Sequence, residues 1–218
     1  MIRVHRPLVR LIAIGLFVLF AAANSYASTI LFADLTNANE NPPTVPTTSA
    51  GAPRPASFGT ASFFINDAAT FMTFTATIFN IDFTGSQTSD TSDNLTNAHI
   101  HASATVTPTT NAGVVWGFIG SPLNDIAPND VVVTPFATGV GGTVSGKWDL
   151  AEGNGTTLSA QLPNILSGHS YINFHTVQFS GGEIRGNITA VPEMPSMWLL
   201  MTGIGGVFVF YRKRSAAA

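Results

Sequence analysis

The sequence contains no cysteine, so it can form no disulfide and offers no thiolate to a metal or a substrate. Charge is scarce as well. Only 10% of the 218 residues are charged, well below the roughly 25% usual in soluble domains. Of nine Lys and Arg, three (Arg3, Arg6, Arg10) precede the first apolar run and three (Arg212, Lys213, Arg214) follow the last. Between them, Arg54, Lys147 and Arg185 stand against eleven acids from Asp34 to Glu183, a balance near −8. That excludes the basic footprint of a nucleic-acid-binding protein. The chain also lacks a nucleophile motif, a phosphate loop, a metalloprotease signature and a convincing helical period between its two ends, which leaves enzyme as the weaker class.

What fills the space is Gly, Thr, Ser, Asn and Pro between short apolar runs, the composition of an all-β, turn-rich extracellular protein. The two ends differ in kind from the middle. Residues 1–27 pair a basic start with an apolar run from Leu11 to Ala23 and a small-x-small site at Ser25-Tyr26-Ala27, which predicts a secretory signal peptide removed after Ala27. Residues 191–218 carry an uncharged run of 18 residues, Met194 to Tyr211, stopped by Arg212-Lys213-Arg214. That length is just enough for a bilayer span, and the basic cluster predicts a cytoplasmic end with the domain outside.

Residues 28–190 then form one domain. Thr29–Ala38 reads as a strand, and five prolines within residues 42–55 forbid a central strand after it. Ser57–Asn66 and Thr70–Asn80 alternate with a period of two and predict a hairpin turning at Asp67-Ala68-Ala69. Thr84–Asn94 reads as a surface loop. Asn97–Ala102, Gly113–Ile119, Val131–Phe136, Thr143–Leu150, Thr156–Leu162 and Tyr171–Ile188 supply the remaining extended segments. Eight or nine short strands predict an antiparallel β-sandwich, immunoglobulin-like or superoxide-dismutase-like, with a closed barrel as the alternative. A signal helix and a transmembrane helix would flank it.

The chemistry available to this domain is mostly histidine. His99 and His101 stand i, i+2 on a strand whose other face is Ala98, Ile100 and Ala102, so both imidazoles point away from the core, about 7 Å apart, beneath a loop. In Tyr171–Thr176 the aliphatic parity is Ile172 and Phe174, which turns His175 outward too. Three imidazoles in one exposed patch would suit Cu or Zn. Glu183 and Arg185, also i, i+2, follow Gly181-Gly182 and are candidate supports, bridging to each other, to His175, or to Lys147 and Asp149. An His-x-His strand on a β-sandwich invites comparison with copper-zinc superoxide dismutases, yet four histidines in the domain and no disulfide argue against that activity.

Two resemblances bear on function. Val191-Pro192-Glu193, the apolar span containing Gly and the basic end are similar to the PEP-CTERM sorting signals of Gram-negative, exopolysaccharide-producing bacteria, with Met194 standing where a second Pro is usual. This resemblance implies that an exosortase-type transpeptidase in the membrane recognises Pro192 and Glu193 and removes or exchanges the anchor. Ala38-Asn39-Glu40-Asn41-Pro42-Pro43, Ala98-His99-Ile100-His101, Tyr171-Ile172-Asn173-Phe174-His175-Thr176 and Gly181-Gly182-Glu183-Ile184-Arg185-Gly186 resemble the CHRD domain, named for chordin. That resemblance implies a β-sandwich module and brings no catalytic activity. The leading expectation is an exported, C-terminally tethered, non-enzymatic module with a binding or structural role, its partners being exopolysaccharide or envelope protein. The second is a Cu- or Zn-binding or redox protein using the histidines.

Overall fold

Residues 28–191 are described by a computed structural model. In chain order they form β1 (Thr29–Thr36), a single 3₁₀ turn (Asn37–Asn39), β2 (Phe58–Ile65), β3 (Phe71–Phe79), β4 (Leu95–Ala102), β5 (Val114–Ile119), β6 (Val132–Pro135), β7 (Gly141–Asp149), α1 (Leu158–Leu166), β8 (Ser170–Thr176), β9 (Ile184–Asn187) and β10 (Thr189–Ala190). The period-two alternation decides which face each strand buries. On β2 and β3 it sends Ala61, Phe63, Ile65, Met72, Phe74, Ala76 and Ile78 inward, and the two strands pair from Phe58↔Phe79 to Ile65↔Met72. The hairpin turn is held by Asn66, whose Oδ1 accepts from the backbone N–H of Thr70 and of Phe71.

All the strands belong to one antiparallel sheet in the order β5-β4-β8-β9-β1-β2-β3-β7-β6, with β10 also on β1. The layers expected of a sandwich are two halves of this one curled sheet. Trp116 on β5, at one end of the order, stacks at 5.4 Å on Trp148 of β7, near the other end. Phe74 of β3 meets Trp116 and Phe118 of β5 at 5.8 and 4.7 Å. Side chains of this kind contribute about 1.5–3 kcal/mol each when fully buried, and they hold the curl closed without a disulfide.

One segment departs from its expected form. Thr156–Leu162 is not extended: Thr157 caps a helix by accepting from the Ala160 N–H, and α1 follows with Leu158 and Ile165 buried and Leu162 packed beside them. The i, i+4, i+7 spacing of those three residues gives the helix one apolar stripe against the sheet. Among the described residues no helix is long and apolar enough to cross a membrane. The expected signal helix, the expected transmembrane helix and the sorting residues Pro192, Glu193, Arg212, Lys213 and Arg214 lie outside the described residues. Val191 donates its N–H to Ile30 O, which places the exit toward the C-terminus beside the start of β1.

Candidate metal centre

β4 and β8 are neighbours, with His99↔Asn173, His101↔Tyr171 and Asn97↔His175 as register partners. Ala98, Ile100, Ile172 and Phe174 point into the core and are fully buried. The opposite parity therefore collects His99, His101, Tyr171, Asn173 and His175 on the outer face of two paired strands. The parity expected from the sequence holds, but the expected exposure does not. His99, His101 and His175 are only 4%, 8% and 6% exposed, because the loops after β4 and β8 fold over them.

Those loops fix the rings. His101 Nδ1 lies 2.9 Å from the Ala112 carbonyl, and His175 Nδ1 lies 2.9 Å from the Ser180 carbonyl. A carbonyl only accepts, so each Nδ1 carries the proton and each Nε2 keeps its lone pair. A backbone carbonyl on one ring nitrogen is the usual way a protein orients a histidine whose other nitrogen binds a metal. His99 Nδ1 is 3.1 Å from His175 Nε2, and Nε2 of both His99 and His101 make no hydrogen bond. One ligand nitrogen from each of the three histidines lies within 4.8 Å of the others. His99 Nδ1 can donate a proton to the His175 Nε2 lone pair or share an ion with it, and ligands at ~2.0 Å from one ion stand about 3.3 Å from each other in a tetrahedron.

Burial also sets the charge state. Desolvation, then the mutual repulsion of the rings, pushes His99 down to about 4. Desolvation does the same to His101, against the opposing hydrogen bond to Ala112, and holds it at about 4 too. His175 is lowered by the same desolvation. At neutral pH the trio is thus three uncharged imidazoles, the form in which histidine binds metals.

A stack of side chains stands behind the trio. Tyr171 lies parallel to His101 at 4.6 Å between ring centroids, and the Arg185 guanidinium sits 3.6 Å above the other face of Tyr171. Arg185 donates to Thr107 O, Thr110 O and Asn111 Oδ1 at 2.7, 2.9 and 3.0 Å, pinning the loop that carries Ala112. Beside it, Asn173 donates to Glu40 Oε2 at 2.6 Å, and burial pushes the Glu40 carboxyl up. Gly182, at φ +129°, packs where a Cβ would overlap both Asn173 and Glu40, so the Gly-Gly turn needs glycine at its second position.

Glu183 does not join this site. It is fully buried, pairs with Arg54, and accepts from Ser57 and Thr176, so it bridges neither Arg185 nor His175. Lys147 and Asp149 pair with each other, and Lys147 pairs also with Asp130. His169 bonds to Val106 O and stays outside the trio. Tyr171, Asn173 and Glu40 were not singled out by the sequence as site residues. The parity of Tyr171 and Asn173 with His175 is the signal that finds them.

The profile of the CHRD domain matches residues 31–188. No curated protein and no solved structure matches the chain.

Proposed function

Because the chain belongs to the CHRD domain family, we propose that it is a non-enzymatic binding module of the cell envelope or exopolysaccharide matrix whose bound ligand is one copper or zinc ion on His99, His101 and His175. The observation that carries this reading is the convergence of three buried, neutral imidazoles, in which His99 Nδ1 and His175 Nε2 stand 3.1 Å apart and His101 Nε2 has no partner. An unpaired polar atom in an interior costs about 1–3 kcal/mol, and an ion held by His99 Nδ1, His101 Nε2 and His175 Nε2 would satisfy the one on His101. Arg185 and Tyr171 are positioning residues, and Glu183 supports the fold around them.

Titrating the purified protein with Cu and Zn by calorimetry tests the site. One ion per chain is expected, and His99→Ala and His175→Ala should each weaken binding by at least 100-fold. Absent binding in the wild type, or wild-type affinity in both variants, removes the site.

Export and tethering form the second half of the reading. They rest on the basic, apolar and small-residue order of residues 1–27 and on the Pro192-Glu193 start and basic end of residues 191–218. An exosortase-type enzyme would process the latter. Deleting residues 191–218 should move folded protein from the membrane fraction to the medium. Retention in the membrane fraction would exclude the tether.

A further inference from the structure

We propose that the histidine trio is built for a monovalent ion and that its occupant is copper(I). The inference rests on the metal reading above and adds the charge of the ion to it. The three ligands bring no negative charge. No thiolate exists in the chain, and the group of ligating side chains contains no carboxylate. A divalent ion would therefore be buried with both its charges uncompensated, and the cost of burying an ion rises steeply with its charge.

The second observation is the cation behind His101. Arg185 is fully buried, yet its guanidinium donates to two backbone carbonyls and two side-chain amide oxygens, all neutral. The nearby buried acids are committed elsewhere. Glu183 pairs with Arg54, and Glu40, whose charge acts on Arg185 through space, is bonded to Asn173 and the Asn41 N–H rather than to the guanidinium. The positive charge of Arg185 thus faces the trio through Tyr171 and His101. At an effective dielectric of about 20, each unit of charge on an ion about 8 Å from that guanidinium loses a factor of roughly 30 in affinity. A monovalent ion bears this factor once and a divalent ion twice.

Coordination number points the same way. Zinc takes four ligands in closed sites, whereas copper(I) is satisfied by three nitrogen donors, and three is what the loops enclose.

Asn111 offers a test that leaves the core alone, since it is exposed and its Oδ1 accepts from Arg185. Asn111→Asp places a carboxylate on the guanidinium. The full chain, purified in detergent, would be titrated anaerobically with copper(I) against a chromogenic copper(I) chelator, and separately with Zn(II) against a zinc chelator. The wild type should bind one copper(I), with Zn(II) unable to displace it. Asn111→Asp should raise the affinity for Zn(II) relative to copper(I) about tenfold or more, and Arg185→Lys, which keeps the charge, should not. Displacement of copper(I) by Zn(II) in the wild type, or an unchanged ratio in Asn111→Asp, overturns the monovalent assignment while leaving the trio as a metal site. Failure of both ions to bind overturns the site itself.

Discussion

Arg54→Met lowers the unfolding free energy by about 3–5 kcal/mol, the cost of leaving a buried carboxylate without its cation. The Arg54 side chain is 6% exposed and that of Glu183 is 0% exposed, so water cannot replace the lost partner. Glu183 Oε2 also accepts from Thr176 Oγ1 at 2.6 Å, and Oε1 accepts from Ser57 Oγ. Asn37 extends the network, donating to Glu183 O and accepting from the Ser57 N–H. The pair therefore ties the proline-rich loop, the end of β8 and the entries to β2 and β9 into one unit. Urea unfolding of the wild type, Arg54→Met, Glu183→Gln and the double variant would measure it. The double variant should lose clearly less than the two single losses added together, because removing both charges leaves neither stranded. A loss below about 0.5 kcal/mol in Arg54→Met would show that the pair is solvated.

The same network marks the limit of what local sequence patterns reveal. Alternation was enough to place β2 and β3, to send Ile100, Ile172 and Phe174 inward, and to set all three ligand histidines on the opposite face. It could not tell how completely the loops enclose this face. The cover depends on the Ala112 and Ser180 carbonyls meeting His101 and His175, and loops carry no periodicity to read. Ser180 acts through its carbonyl alone, a role that any residue fills. Glu183 and Arg185 share a parity and look like a pair, yet their partners are Arg54, 129 residues away, and Thr107, 78 residues away. Such choices are set by the closing of the sheet. α1 escaped for a local reason: nine residues with three core contacts and an internal Pro163 give too short a period to stand out.

Acid should destabilise the metal-free protein between about pH 6.5 and 4. His99 and His101 are held near 4 in the folded protein against an ordinary 6.5, and His175 is lowered as well. Between those values the unfolded chain takes up protons that the folded chain refuses, so stability is complete above about pH 6.5 and is lost as pH falls toward 4. A drop from 6.5 to about 4 corresponds to about 3 kcal/mol for one histidine, and because a first imidazolium repels a second, two such histidines cost at least that much together. Asp125 works in the opposite direction. Desolvation raises its carboxyl to about 6, so it favours the folded state at low pH and loses that contribution as pH rises through 6. Glu40 and Asp93, also raised by burial, act with Asp125. Urea midpoints recorded from pH 7.5 to 4 in a chelator should therefore fall with pH in the wild type. They should fall more steeply in Asp125→Asn, which removes the opposing group, and less steeply in His101→Gln. Adding the bound ion should deepen the slope, because protons and metal compete for the same lone pairs. A flat wild-type profile across this range would mean that water reaches the trio.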